Sequence, residues 1–242
     1  MPIGVIINVS SVFFGGIFGV LIGKYIPNRI KNELTVLFGL GALAIGIPSI
    51  VGMQNMPVVV LSIILGTAIG LVCHVGEYIQ ICAKFLERLI SKFVKIHCDL
   101  DENAYIQTLI MIIVLFCASG TGIYGTLVEG MSGDSTILIS KSILDFFTAA
   151  IFASQLGAVV STIAIPQGIV FMSLYVLSSL IMPYITPSMF ADFKACGGLL
   201  VVATGFRMMK VKDFPLADMI VSMILVMPLS WIWVSYILPL IG

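Results

Sequence analysis

Charged residues are scarce in this chain of 242 residues, at 10% against about 25% in soluble domains. Its twelve basic and twelve acidic residues cancel, which excludes both a basic face for nucleic acid and a solubilising acidic tail. Apolar residues make up 60% of the chain, against about 45–50% in a soluble domain. A soluble fold could not bury so much apolar surface, so the composition predicts a membrane protein.

The chain is also poor in residues that build metal centres, cofactor sites or cross-links. It has two histidines and five widely spaced cysteines with no C-x-x-C pair, so we expect no metal site, no cofactor and no disulfide framework. The segment Met1–Gly4 lacks the basic region of a signal peptide, and we expect the first hydrophobic segment to be retained.

Enzyme signatures are absent from the sequence as well. It contains no G-x-S-x-G, H-E-x-x-H or P-loop motif. Lys141 and Ser142 suggest a Ser–Lys dyad, but adjacent residues of a helix point about 100° apart. We therefore expect no enzymatic activity.

Long apolar segments are abundant instead. Eight stretches approach the length of about 20 residues that crosses a bilayer, namely 3–23, 35–53, 57–75, 105–125, 136–160, 165–185, 195–209 and 216–240. The chain is thus predicted to be a single all-α polytopic membrane domain. Glycines four residues apart, at Gly15, Gly19 and Gly23 and at Gly66 and Gly70, are typical of close helix packing.

A different kind of segment lies at 77–103, between the third and fourth spans. Its residues 77–98 alternate apolar positions with charges that include Lys84, Glu87, Arg88, Lys92 and Lys95. This spacing predicts an amphipathic helix in the cytoplasmic headgroup plane, and the alternative is an extension of the third helix into water. Other basic residues follow span one (Lys24, Arg29, Lys31) and span seven (Arg207, Lys210, Lys212). Because cytoplasmic loops are enriched in Lys and Arg, eight spans predict both termini, and the acidic loop around Glu129 and Asp134, outside the cytoplasm.

The chain also matches itself at an offset of 159 residues. Nine of the 44 positions from Ile3 to Gly46 are identical, including Gly39/Gly198 and Gly46/Gly205, and Asn8 aligns with Gln167. Five spans separate the start of one copy from the start of the other, and this odd number makes the second copy inverted. The prediction is a 3 + 2 + 3 arrangement of repeats 1–76 and 161–242 around a central helix pair at 104–160, as in many secondary transporters.

The central pair carries most of the polar residues. Five glycines between Gly120 and Gly133 favour an unwound segment lining a cavity, with an ordinary helix end as the alternative. In the next span, Lys141, Asp145, Thr148 and Gln155 share one helix face. A helix that starts near Ser135, which Asp134 could cap, would place Asp145 about 15 Å along it, near mid-membrane.

Placing a charged side chain at that depth costs free energy, so such charges pair with each other. They commonly mark a solute path. The residues predicted to bind solute are Lys141, Asp145, Asn8, Gln167, Thr148, Gln155, Gly120, Gly122 and Asp134. The resulting hypothesis is a transporter or channel for a small polar or ionic solute. A non-transporting scaffold or sensor, which binds a cytoplasmic partner or anionic lipid through 77–98, is the alternative. A water-filled path to Lys141 would favour the first and a dry Lys141–Asp145 pair the second.

The sequence resembles a known family in the same region. The matching residues are Gly133-Asp134, Leu138, Lys141-Ser142, Leu144-Asp145, Phe152-Ala153-Ser154 and Gly157, together with Pro2-Ile3-Gly4 and Asn8. They resemble the bacterial YdfK/YqgA membrane-protein family, a domain of unknown function. The resemblance implies a multi-pass protein of the bacterial inner membrane. The predicted partners are membrane lipid and the solute, and a homodimer is possible.

Overall fold

A computed structural model describes residues 1–22, 25, 27–93 and 102–241 as an all-helical membrane protein. Of the residues in the predicted basic loops, Lys24 and Lys95 lie outside the described residues, as do the side chains of Lys31 and Lys92. The helices are α1 (Ile3–Ile22), α2 (Asn28–Val51), α3 (Met56–Val72), α4 (Val75–Phe93), α5 (Glu102–Cys117), α6 (Gly120–Ser132), α7 (Thr136–Leu156), α8 (Val159–Thr162), α9 (Ala164–Ile181), α10 (Pro187–Met208), α11 (Leu216–Ile232) and α12 (Leu238–Ile241).

The all-α polytopic fold is therefore confirmed. Among the described residues, six helical segments are long and apolar enough to cross a membrane, and a seventh is added if the bent pair α3–α4 counts as one span. The predicted second span falls on α2, whose apolar part, Val36–Val51, is shorter. The count of eight stays a prediction.

The amphipathic segment forms a helix of its own. The axis of α4 turns by 59° from that of α3 at a break around His74, whose φ of 54° is left-handed. Lys84 and Arg88 are exposed, whereas Ala83 and Glu87 are buried against α5. Glu87, predicted to lie on the charged face, is instead held by a hydrogen bond from Ser91 Oγ at 2.8 Å. The interfacial location of α4 stays a prediction.

The glycine-rich segment is helical, so the expected unwinding is wrong for most of it. Only Ala118 and Ser119 interrupt the helix, and Ser119 Oγ caps α6 by accepting the N–H of Gly122 at 3.1 Å. Packing outweighs the low helix propensity of glycine here. A Cβ at Gly125 would lie 2.9 Å from Ile137, and a Cβ at Gly130 would lie 2.6 Å from the Tyr175 carbonyl oxygen, so both glycines allow close helix contacts.

Helices α2 and α10 approach each other reciprocally. A Cβ added at Gly39 would lie 2.8 Å from the Gly205 carbonyl oxygen, and one at Gly205 would lie 2.8 Å from that of Gly39. Gly46 and Gly198 face each other in the same way at 2.7 Å. Because the residue numbers run in opposite directions along the two helices, α2 and α10 are antiparallel.

Two parallel pairs surround the antiparallel α6–α7 hairpin. Gly15 and Gly19 of α1 pack directly on the α7 backbone at Phe146 and Ala150. On the other side, Gly122 and Gly130 of α6 pack on Phe171 and Ser178 of α9. In a third pair of helices, Gly66 and Gly70 of α3 contact Ser222 and Asp218 of α11. Small residues at four-residue spacing thus perform the predicted packing role.

Candidate functional site

A chain of four polar side chains crosses the interior between α7, α1 and α9. Lys141 Nζ donates to Asp145 Oδ2, which also accepts Asn8 Nδ2 at 2.8 Å. The oxygen of the same Asn8 amide accepts Gln167 Nε2 at 2.8 Å. Asn8 and Gln167 are fully buried, and Lys141 and Asp145 are 4% and 7% exposed. We call these four residues the central network.

Helix periodicity on α7 positions the charged half of the central network. Lys141 and Asp145 are one turn apart and lie on the face that packs against α1, as the sequence pattern predicts. Asp145 lies about 14 Å from the start of α7 at a rise of about 1.5 Å per residue, which is half-way along the helix. Thr148 continues this face and is buried as well. Lys141 and Asp145 are therefore buried half-way along an apolar helix.

Gly122 makes room for the lysine. A Cβ at this position would lie 3.2 Å from Lys141 Cε and would collide with the ring of Phe171. The ammonium group is thus enclosed between α6 and α7, beside an aromatic side chain of α9. A larger residue at position 122 would displace Lys141 from its partner.

Two members of the central network, Gln167 and Lys141, carry hydrogen-bonding groups without a partner among the described residues. Gln167 Oε1 is buried and has no partner among the described residues. Lys141 carries three N–H donors, and among the described residues the bond to Asp145 is the one it makes. An unsatisfied buried carbonyl costs about 1–3 kcal/mol. The network therefore combines an acceptor and charged donors that a polar solute could use.

Three of the predicted solute-binding residues lie away from the central network. Gln155 is exposed in the last turn of α7, about 15 Å along the helix from Asp145. Gly120 faces Leu200 of α10 instead. Asp134 is exposed in the α6–α7 loop, where its Oδ1 accepts the N–H of Thr136 at 3.0 Å. The N-cap of α7 is Ser135 and not Asp134 as predicted.

Three grooves among the described residues are not lined by any member of the central network. The groove between α2 and α7 is lined by the opposite face of α7, including Ser140 and Leu144. The other two lie between α4 and α5 and between α1 and α9, and neither is lined by Lys141 or Asp145. Lys141 and Asp145, at 4% and 7% exposure, are thus buried away from all three grooves.

Two buried carboxylates were not identified from the sequence. Glu129, expected in the external loop, lies within α6 at 1% exposure and accepts the N–H groups of Gly4 and Val5 at 2.6 and 3.1 Å. Fully buried Asp192 accepts the N–H groups of Gln54 and Asn55 at 3.0 and 2.8 Å. Glu129 stabilises the first turn of α1, and Asp192 stabilises the residues that lead into α3, including its N-cap Asn55, through hydrogen bonds and the helix dipole. An acidic residue in an apolar segment was the available signal, but its partner could not be read from the sequence.

Comparison with known proteins supports the resemblance noted above. The chain is 45% identical over 236 residues to "Uncharacterized protein YqgA" of Escherichia coli (strain K12), covering 98% of this chain and 99% of that protein. It is 25% identical over 226 residues to "Uncharacterized membrane protein YdfK" of Bacillus subtilis (strain 168), covering 92% and 93%. No solved structure matches the chain significantly. A family model described as "Protein of unknown function (DUF554)" matches residues 3–231, and the chain therefore belongs to the DUF554 family.

Proposed function

We propose that this protein carries a small polar or ionic solute across the bacterial inner membrane and binds it at the central network. The observation that carries the proposal is a buried Lys141–Asp145 pair half-way along an apolar helix, joined by Asn8 to Gln167. Ionisable residues within the membrane are costly and commonly mark solute or proton paths. A pair that only tied helices together would not need the unpartnered carbonyl of Gln167.

An inverted repeat is part of the proposal. Its two-fold axis would pass between Asn8 and Gln167, which are equivalent at the offset of 159 and bonded to each other. The same operation exchanges the Gly39–Gly205 contact with the Gly198–Gly46 contact. The parallel pairs α1–α7 and α9–α6 would exchange as well. Transporters of this architecture bind solute at the interface of the repeats, near the midplane.

The proposed orientation has both termini outside the cytoplasm. Two contacts support it by bringing predicted cytoplasmic segments together. Asp218, which follows the basic loop after α10, accepts the N–H of Gly76 at the start of α4 at 2.8 Å. Met209 in that loop contacts Gly39, near the start of the apolar part of α2, Val36–Val51. The loops after spans one, three and seven would then face the same side of the membrane.

A buried pair that lines none of the three grooves is also compatible with a transporter in an occluded conformation. In alternating access the two repeats rock around a fixed site, so each conformation opens it to at most one side. Solute entering from one side would replace the Lys141–Asp145 hydrogen bond with its own polar groups and use the carbonyl of Gln167. This exchange would compensate for the cost of separating the buried charges.

We also propose that the protein is not an enzyme. Ser142 Oγ donates to the carbonyl of Leu138 at 2.7 Å, so the hydroxyl is turned toward its own helix and not toward Lys141.

A scaffold or sensor is the second candidate function. Two observations favour it. The buried Lys141–Asp145 pair lines none of the three grooves, and exposed Lys84 and Arg88 of α4 line a groove of about 680 Å³ beside α5. These side chains could attract anionic lipid or an acidic partner. In that case the central network would be a structural tie.

Solute flux in liposomes tests the proposed function. We expect purified wild-type protein to produce transport currents with at least one member of a panel of inorganic ions, amino acids, organic acids and organic amines. The matched control is the double variant Lys141→Met with Asp145→Leu, which removes both charges while keeping apolar volume. No flux should occur with it. Equal flux through wild type and double variant would exclude the central network from transport.

A further inference from the structure

A groove on the other face of α7 has features that the central network does not use. It has a volume of about 530 Å³ and lies between α2, α7 and α10, within the range of about 300–1,000 Å³ typical of ligand pockets. Gly41 of α2 and Leu144 of α7 contribute to its apolar part, whereas Ser49, Ser140, Lys194 and Asp134 make the rest polar.

Two opposite charges line this groove without pairing. Lys194 of α10 is half-buried, and its ammonium lies 5.6 Å from the ring centroid of Phe190. Asp134 is exposed at the rim. Among the described residues, neither side chain forms an ion pair with any other. Hydrogen bonds from Thr136 lower the pKa of the Asp134 carboxyl below its ordinary value, so this group is anionic at neutral pH.

The positions of Asp134 and Lys194 match the order of the headgroup and acyl-chain layers in one leaflet of the membrane. The groove lies where α2 ends and where α7 and α10 begin, at one end of the helix bundle. Asp134 belongs to the loop before α7, whereas Lys194 lies within α10 as its eighth residue, with its ammonium beside the ring of Phe190, one turn closer to the start of that helix. Ile143, which also lines the groove, is 59% exposed. The groove therefore opens sideways toward the acyl chains.

We propose that this groove binds a phospholipid whose headgroup carries both a phosphate and an ammonium group, such as phosphatidylethanolamine. In such a lipid the phosphate lies deeper than the ammonium. The phosphate would thus meet Lys194 and the hydroxyls of the groove, and the ammonium would meet Asp134 at the rim. An acyl chain would extend along the apolar part beside Leu144. A headgroup with phosphate alone would satisfy Lys194 and be repelled by Asp134.

Native mass spectrometry of the detergent-purified protein tests this proposal with two lipids of identical acyl chains, phosphatidylethanolamine and phosphatidylglycerol. We expect the wild type to retain phosphatidylethanolamine preferentially. Lys194→Gln should weaken retention of both lipids about tenfold, the effect of losing one charge-assisted hydrogen bond. Asp134→Asn should remove the preference while keeping retention. Lys194→Arg should preserve binding, which separates loss of charge from misfolding.

Lys212→Gln is the matched control, because it removes the same charge from an exposed residue in the loop between α10 and α11. It should leave lipid retention unchanged. Equal retention of the two lipids by the wild type, or undiminished binding by Lys194→Gln, would overturn the proposal. Displacement of the lipid by equimolar glycerophosphoethanolamine would also overturn it, because a soluble zwitterion would then be the preferred ligand.

Discussion

Asp145→Asn is expected to destabilise the protein by about 3–5 kcal/mol, the cost of breaking a buried ion pair from one side. The substitution leaves the ammonium of Lys141, 4% exposed, without its anionic partner. It also weakens the acceptor of the Asn8 amide. Thermal melts and denaturant titrations in one detergent would measure the loss. Asp218→Asn is the control, because it makes the same chemical change at a partly buried residue near the start of α11. We expect it to cost less stability than Asp145→Asn.

The double variant Lys141→Met with Asp145→Leu should recover most of that stability. Both charges disappear together with their desolvation cost, and apolar replacement of a buried pair is often neutral or stabilising by about 1–4 kcal/mol. The proposed function requires this stable variant to be inactive in the flux assay. A double variant as unstable as Asp145→Asn would show that local geometry, and not charge pairing, holds α7 against α1.

The second large effect is expected for Gly19→Ala. A methyl group here would collide with the backbone of Ala150 in α7, and neither helix can relieve a backbone contact by moving a side chain. Overpacking of this kind typically costs about 1–3 kcal/mol, and a shift of α1 would also pull Asn8 from Asp145. We expect a lower melting temperature and, if the proposed function is correct, reduced flux.

Gly168→Ala is the matched control for Gly19→Ala. Its added methyl would lie 3.5 Å from Val9, an ordinary van der Waals distance, and the residue is also in the interior of a helix. Stability should stay the same or rise slightly because alanine favours helix by up to about 1 kcal/mol. If both variants lost stability equally, close packing of α1 on α7 would not explain the glycine spacing.

The fold could be predicted from the sequence to the extent that lipid imposes it. Helices are the form in which an apolar chain satisfies its own backbone, so long apolar segments predict most of the elements. Helix periodicity likewise predicts that Lys141, Asp145 and Thr148 share a face. The alignment of Asn8 with Gln167 also identified two residues that the structure joins directly.

The remaining features depend on contacts between distant parts of the chain. Glu129 is buried because it accepts two backbone N–H groups at the start of α1, which lies 124 or more residues earlier. Glycines of α6 stay helical because α7 and α9 pack against them. Gln155 shares the polar spacing of α7 but lies exposed near the helix end. Local spacing carries no information about any of these long-range contacts.

Accessibility of the central network to water from both membrane faces tests the proposed transport most directly. The measurement places a single cysteine at buried Thr148, in a variant whose native cysteines are replaced, and applies a membrane-impermeant thiol reagent to right-side-out and inside-out vesicles. Leu109→Cys, at a fully buried apolar residue, is the matched control. Transport by alternating access predicts labelling of Cys at 148 in both vesicle orientations and none at 109. Protection of both positions in both orientations would contradict a solute path through the central network.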